Sequence, residues 1–143
     1  MLCVREAVSQ DFHSICELMK NELGYPDLDE ADALKRLEYF SGSDDWETFV
    51  AVLDDEIVGF IGVKRILAYN IKGYNAEIMA LAVSEKTRQH GIGTALIRKA
   101  EEWALSHDIA KICLHSNMRR LGAHAFYEKN GYEKASLWFV KPL

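Results

Sequence analysis

Residues 76–98, AEIMALAVSEKTRQHGIGTALIR, decide the fold of this chain. The apolar run 78–83 predicts a strand, and the residues after Gly93 predict a helix, so a loop bearing Gly91 and Gly93 joins the two. The first N–H groups of a helix have no partner inside it, and the helix dipole favours negative charge there. The loop therefore predicts an anion-binding site, which two residues without a Cβ would let a ligand approach closely.

Two common phosphate-binding motifs fail at this loop. A P-loop needs Lys and then Ser or Thr after its last glycine, where this chain has Thr94-Ala95. A dinucleotide fingerprint needs a third glycine or alanine where Leu96 stands, and an acidic residue about twenty positions later, near Lys111. The remaining pattern is Arg-x-x-Gly-x-Gly, although the loop alone would also fit an ordinary strand-to-helix turn.

This pattern, made by Arg88, Gly91 and Gly93, resembles the acetyl-CoA pyrophosphate loop of the GNAT superfamily of N-acetyltransferases. Residues 123–132, AHAFYEKNGY, are similar to the second GNAT signature, in which a helical tyrosine, here Tyr127, precedes a Gly-aromatic pair. The resemblance follows the order of elements over residues 1–143 and is strongest over 76–132. It implies an enzyme that transfers an acetyl group from acetyl-CoA to a primary amine in a ternary complex.

The resemblance also implies roles for individual residues. Tyr127 would protonate the leaving thiolate, and Glu77 would take the proton of the amine, directly or through a water. A backbone N–H near Leu81 would stabilise the thioester oxygen. The alternatives are a core tyrosine with a satisfied hydroxyl at Tyr127, and a carboxylate at Glu77 that lies at the rim or orients the ammonium.

The residues expected to bind the cofactor come from the strand, the loop and the second signature. Asn117 would contact the pantetheine amides, although its separation from Tyr127 is longer than is usual in the superfamily. His90 and His124 are interpreted as surface or packing residues rather than bases, and Arg88 as a phosphate counter-charge or a solvated loop residue. The complete set is Leu81, Ala82, Val83, Arg88, Gln89, His90, Gly91, Ile92, Gly93, Thr94, Asn117 and Tyr127.

Composition limits the class of protein. At 143 residues, 49% apolar and 27% charged, the chain suits one domain over residues 1–143. No apolar stretch approaches the roughly 18–20 residues that cross a bilayer, and the N-terminus has no secretory pattern. Cys3, Cys16 and Cys113 form no Cys-x-x-Cys pair, which favours reduced thiols in the cytoplasm. With no pair of histidines four residues apart either, the sequence predicts no metal site.

Charge is divided unevenly along the chain. Residues 1–60 hold 15 acidic and 4 basic side chains, whereas residues 61–143 hold 7 and 13. The basic half contains the proposed phosphate loop, and the acidic half would suit a cationic amine acceptor. A nucleic-acid partner is disfavoured because the total charge is −5 and no basic stripe stands out.

Periodicity along the chain predicts the order β-α-α-β-β-β-α-β-α-β. A first strand over 2–7 is followed by a helix ending near Gly24, a second helix with a capping box from Asp27 to Glu30, and a hairpin. A strand-helix-strand unit over 76–114, a helix over about 120–130 and a last strand over 132–140 complete the chain. The fold class is α/β: a GNAT-like, mostly antiparallel open sheet with a central parallel strand pair and about four flanking helices.

Three questions stay open at this level. A non-catalytic acyl-CoA-binding regulatory domain would keep the loop, and a domain for another nucleotide is a further alternative. The acceptor would lie against the turns 24–29 and 69–75, which are compatible with a polyamine, an aminoglycoside, an amino acid or a peptide N-terminus. Homodimers are common among GNAT proteins, and the C-terminal strand would offer a pairing edge.

Overall fold

The computed structural model describes residues 1–143 and contains one five-stranded sheet, with strands in the order β1-β2-β3-β4-β5. All neighbouring strands are antiparallel except β4 and β5, which are parallel. The predicted mixed α/β class is therefore confirmed. The elements are β1 (Leu2–Glu6), α1 (Phe12–Glu22), α2 (Glu30–Ser41), β2 (Trp46–Leu53), β3 (Glu56–Leu67), β4 (Tyr74–Val83), α3 (Ile92–Ser106), β5 (Ile112–Leu114) and α4 (Leu121–Lys129).

The predicted last strand is wrong. Residues 132–143 form neither helix nor strand, so the parallel pair lies at the edge of the sheet rather than at its centre. The apolar run 137–140 has the composition of a strand, but its side chains are exposed. A strand needs a neighbouring backbone to accept and donate its hydrogen bonds, and composition does not supply that neighbour.

The sheet buries both of its faces because its strands alternate side chains between two layers of helices. Phe49, Ala51 and Ile61 pack with α3 on one face, while Val50 and Phe60 pack with α1 and α2 on the other. Leu96 of α3 is fully buried, and such burial stabilises a fold by about 1.5–3 kcal/mol per large aliphatic side chain. The two cores fix the position of β4 from both sides.

The helix starts show one further correction. Asp29, rather than Asp27, caps α2, and its carboxylate accepts a hydrogen bond from the Asp32 N–H at 3.2 Å. Before α1, the buried Asp11 carboxylate accepts hydrogen bonds from Arg5 and from the Val8 N–H, which lowers its pKa. None of the four helices has the length and apolar composition needed to cross a membrane.

Candidate active site

Strands β4 and β5 separate part of the way along β4. Their pairing ends with Ile78 opposite Leu114, although β4 continues to Val83 beside β3. At the same point the register between β3 and β4 shifts by one residue, so Met79 is an extra residue that forms a bulge. The strands therefore leave a gap at their carboxyl ends, where ligands bind in open α/β sheets.

The bulge turns backbone donors of β4 toward this gap. Ala76 donates its N–H to Lys111 on the β5 side, whereas Ser84 donates to Val58 of β3 at 2.7 Å. Because N–H directions alternate along a strand, the N–H groups of Leu81 and Val83 point away from β3 and into the gap. The N–H of Ala82, which lies between them, points to β3, and its side chain is buried against α1 and α2.

The loop before α3 presents a row of free backbone donors. The N–H groups of residues 89–94 donate to no acceptor in the protein, and the first helical bond at this end is Ala95 N–H to Gly91 at 3.0 Å. Gln89 and Gly91 have positive φ angles of 71° and 72°, which turn successive N–H groups toward one side. A non-glycine residue held in this left-handed conformation is strained, and such strain concentrates at functional sites.

Gly93 allows close packing between α3 and α4, a role that the sequence did not predict. A Cβ at Gly93 would lie 2.9 Å from the Phe126 ring of α4. Gly91, in contrast, has open space around it and is needed for its positive φ. The second glycine of the motif therefore allows α3 to contact the helix that carries Tyr127. Ile92 anchors the start of α3 in the core, and Thr94 is half-buried beside it.

Arg88 is paired with a carboxylate. Its Nη2 lies 2.9 Å from Oε2 of Glu22, the last residue of α1, and the other oxygen of Glu22 accepts the Glu85 N–H at 3.1 Å. Glu22 thereby ties the end of α1 to the loop that follows β4. Gln89 and His90, next in the loop, are exposed and have no side-chain hydrogen bond.

A cavity of about 450 Å³ occupies the gap between the separated strands. One wall comes from β4 and one from the residues that follow β5. α4 contributes Tyr127, and the residues that follow α1 contribute Leu23 and Tyr25. The complete lining is Leu23, Tyr25, Ile78, Met79, Ala80, Leu114, His115, Ser116, Asn117, Arg120 and Tyr127.

Two half-buried tyrosines at the end of α4 differ in their hydroxyl groups. The Tyr132 hydroxyl donates to Glu101 at 3.0 Å, whereas the Tyr127 hydroxyl has no hydrogen-bond partner in the protein and its ring lines the cavity. Burial raises the pKa of Tyr127, and the nearby Arg120 guanidinium partly offsets the increase. The phenol therefore keeps its proton at neutral pH and is free to donate it to a ligand.

Glu77 has a neighbour that the sequence did not single out. Its Oε2 lies 3.6 Å from Nδ1 of His115, and its side chain is only 16% exposed. His115 lines the cavity, whereas Glu77 does not. The periodicity of the sequence gave no signal for this contact, because it depends on the pairing of β4 with β5.

The segment between β5 and α4 contributes three more polar residues to the cavity. The Asn117 side-chain oxygen accepts the Arg119 N–H at 2.9 Å, and its backbone oxygen accepts from His124, so both shape the turn. The hydroxyl of Ser116 is buried and has no partner. Arg120 forms no ion pair within the chain. Ser116 and Arg120 were missed by sequence reasoning, and both can donate to a bound ligand.

A separate cluster lies on α1 and α2, away from the cavity. His13, Glu17 and Glu30 bring their ligand atoms within 4.8 Å of one another. The sequence-based argument against metals considered only cysteine pairs and histidine pairs and overlooked this combination. Lys20 lies 3.4 Å from Glu17 and 3.9 Å from Glu30, so a cation of the protein itself already neutralises the carboxylates.

Comparisons with known proteins agree with this geometry. Residues 12–132 match the model of the acetyltransferase (GNAT) family. The aminoalkylphosphonate N-acetyltransferase of Salmonella typhimurium is 31% identical over 98% of this chain and 90% of its own. A structure titled transcriptional regulator from Bacillus halodurans C-125 superimposes with a TM-score of 0.92, at 22% identity over the whole of both chains.

A third comparison concerns the fold alone. The aminoglycoside N-acetyltransferase AAC(6′)-Iy, solved in complex with CoA, superimposes with a TM-score of 0.89. It shares 14% identity over 100% of this chain and 95% of its own.

The chain therefore belongs to the GNAT family of acetyltransferases. Its activity is N-acetyl transfer to an amine, and the alternative of a non-catalytic regulatory domain is not favoured.

Proposed function

We propose that the acyl donor is acetyl-CoA and that the backbone of residues 89–94 binds its diphosphate. The observation that carries this proposal is the row of N–H groups without a protein partner at the start of α3. A helix N-terminus with free donors suits a phosphate group. Acetyl-CoA would supply the activated acetyl group as a thioester. The related fold of AAC(6′)-Iy, solved with CoA, is compatible with the same donor.

The pantetheine arm would lie in the gap between β4 and β5. The N–H groups of Leu81 and Val83 are available to it, since β5 has ended at this level. The Leu81 N–H would stabilise the negative charge that develops on the thioester oxygen. Asn117 keeps its side-chain N–H₂ free for a pantetheine carbonyl, because only its oxygen is used by Arg119.

Tyr127 would act as the general acid, and Glu77 would provide the general base function. The Tyr127 hydroxyl is unpartnered, carries a proton at neutral pH and faces the cavity, so it can protonate the departing sulfur. Glu77 is a carboxylate close to the same cavity, and it is nearly buried beside His115. Loss of the amine proton is required because alkyl ammonium groups titrate near pH 10.4.

The acceptor would be a small amine that also carries an anionic group. The acidic half of the chain predicts a cationic acceptor, and the ammonium of this substrate would be that cation. From this half, only Leu23 and Tyr25 line the cavity. The lining holds Arg120, which has no carboxylate partner, and no acidic residue. The 31% identical relative is named for aminoalkylphosphonates, which combine these two charges.

Binding and turnover test the proposal separately. CoA should raise the melting temperature of the protein, while NAD and ATP should not, because only a ligand that binds the folded state stabilises the protein. With acetyl-CoA, 2-aminoethylphosphonate should release free thiol faster than ethylamine, spermidine or kanamycin. Absence of CoA binding would overturn the donor site. CoA binding with no thiol release across this panel would overturn the acceptor class.

Variants at two adjacent arginines test the anion site. Arg120→Met should raise the KM for 2-aminoethylphosphonate by roughly tenfold or more, because a charge-assisted hydrogen bond contributes about 1.5–3 kcal/mol. The KM for ethylamine should not change. Arg119→Met is the matched control, since Arg119 does not line the cavity. Equal effects at the two positions would contradict the assignment.

The whole chain would act as one domain in the cytoplasm, where its three free cysteines stay reduced. We also infer a homodimer. The outer edge of β5 has no strand beside it, and Leu137, Phe139 and Val140 of the C-terminal segment are 76–88% exposed. In a second copy, the segment of one chain could cover the β5 edge of the other. Light scattering should give twice the 16.3 kDa of the chain.

A further inference from the structure

His115 stands between a nearly buried carboxylate and the cavity. Its Nδ1 faces Oε2 of Glu77 at 3.6 Å, and its ring lines the cavity that Glu77 itself does not reach. The imidazole side chain is 45% exposed, whereas that of Glu77 is 16% exposed. Any ligand in the cavity would therefore meet the imidazole first.

The sheet dictates this pairing. Glu77 is opposite Cys113 in the parallel register of β4 and β5. Side chains alternate between the faces of a strand, so the residue two positions after Cys113 returns to the face of Glu77. That residue is His115, which follows the last residue of β5. The register of β4 with β5 therefore brings His115 to the face of the sheet that carries Glu77.

A tryptophan also contacts the imidazole. The rings of His115 and Trp138 meet edge to face, with centroids 3.4 Å apart and planes at 86°. Trp138 belongs to the C-terminal segment, which forms no strand. The imidazole therefore contacts both a carboxylate and an aromatic ring, and these contacts limit its rotation.

We propose that His115 is the group that accepts the proton of the acceptor ammonium, and that Glu77 is its positioning residue. This inference rests on the proposed function and refines it: the carboxylate acts through the imidazole instead of directly or through a water. Glu77 would hold the Nδ1–H and stabilise the imidazolium, which leaves Nε2 to receive the proton from the amine.

The protons and bonds balance in this scheme. His115 takes one proton from the ammonium and returns it to solvent. The neutral nitrogen then forms a bond to the acetyl carbon, and the carbon–sulfur bond breaks. Tyr127 gives its proton to the sulfur and is reprotonated by the second proton that leaves the nitrogen. The products are an N-acetyl amide, a free thiol and one proton in solution.

The titratable and charged groups around the imidazole come from several elements. Glu77 of β4 faces it, and Cys113 precedes it on β5 beside the same carboxylate. Tyr25, Arg120 and Tyr127 share the cavity wall with it. Burial raises the pKa values of Cys113 and Tyr127, so both stay neutral near pH 7.

The test compares two acceptors that differ in ammonium acidity. 2-Aminoethylphosphonate is mainly an ammonium at pH 7, whereas its 1,1-difluoro analogue has a more acidic ammonium and a much larger neutral fraction. His115→Gln should lower kcat/KM for the first amine by about 100-fold, a usual size for a lost general base. For the second amine the loss should be clearly smaller, because less of it needs deprotonation.

Controls separate a chemical role from a structural one. Glu77→Gln should give a smaller loss with the same dependence on amine acidity, and imidazole in the buffer should restore part of the rate of His115→Ala. Equal losses for both amines, or none, would overturn the inference even if the wild-type enzyme is active and binds CoA. No thiol release from the wild-type enzyme with either amine would overturn the proposed acceptor class and this inference with it.

Discussion

The two ends of the candidate site differ in the kind of group that they present: backbone N–H groups at one end and side chains at the other. At the start of α3, the groups that we propose bind the cofactor are the backbone N–H donors of residues 89–94, beside positive φ angles at Gln89 and Gly91. At the other end, around the cavity, the groups are side chains, among them Tyr127, His115 and Arg120. The first end needs a backbone shape, whereas the second needs particular residue types at particular places.

This difference determines how each end responds to mutation. Removing a side chain from the loop leaves its N–H donors in place, so most substitutions there should have small effects. At the cavity, in contrast, substituting Tyr127 or His115 removes a side chain that takes part in the proposed reaction. The exception in the loop is a residue whose change would move the backbone or the neighbouring helix, as at Gly93.

The largest effect should come from Tyr127→Phe. Loss of the proton donor should lower kcat by about 10²–10⁴-fold while the affinity for CoA stays unchanged. Tyr132→Phe is the matched control, because it removes the hydroxyl bound to Glu101 and not one in the cavity. It should keep kcat and lower the free energy of unfolding by about 1 kcal/mol. Steady-state kinetics and CoA titrations measure both, and a normal kcat in Tyr127→Phe would refute the acid role.

Gly93→Ala should affect both ends of the site, because it changes the contact between the loop before α3 and the helix that carries Tyr127. The added Cβ would meet the Phe126 ring at 2.9 Å, so α4 has to shift, and we expect a loss of about 1–3 kcal/mol in unfolding free energy with a lower kcat. Thermal unfolding and kinetics measure these changes. The double variant Gly93→Ala with Phe126→Leu should recover both, since the smaller side chain makes room. Failure of the second substitution to restore activity would show that Gly93 matters for another reason.

The pH profile of kcat should show over which pH range Tyr127 keeps its proton. Burial raises its pKa above the ordinary value of about 10, so the proton-bearing form persists further into alkaline pH. We therefore expect kcat to show no falling limb from Tyr127 below about pH 10. Arg120→Met removes the cation that lowers this pKa and should raise it further. Ultraviolet titration of tyrosinate, with Tyr127→Phe as reference, measures the shift, and a falling limb near neutral pH would contradict it.

Arg88→Ala should have the smallest effect. Its guanidinium is 56% exposed and already paired with Glu22, and exposed pairs contribute about 0–1 kcal/mol. We expect the Kd for CoA to rise by no more than about fivefold. Glu22→Gln, which frees Arg88, is the matched comparison by calorimetry. A loss of CoA affinity in Arg88→Ala far above this limit would mean that the loop depends on a side chain after all.

Local patterns predicted the order of strands and helices correctly up to α4. The loop with Gly91 and the helix with Tyr127 were identified by their resemblance to two GNAT signatures, and their roles stay predictions. Asp29 replaced Asp27 as the cap of α2 because several acidic residues stand close together there and the helix begins at Glu30, directly after the extended Asp29. Boundaries of this kind depend on conformation at single residues.

The features that sequence reasoning missed depend on contacts between distant segments. The role of Gly93 follows from Phe126, a residue of another helix. His115 matters because β5 pairs with β4 in one register, which brings it to Glu77. The strand expected over 132–140 did not form, since an apolar run specifies a strand only if a neighbouring backbone is available.

The sequence by itself determined the family and the α/β class and predicted an anion-binding loop, because each depends on residues close together in the chain. Only the tertiary structure decided which groups meet in the cavity. The bulge at Met79 and the early end of β5 open the gap and turn the Leu81 N–H into it. The physical reason is that hydrogen-bond register acts between strands, and no single segment encodes it.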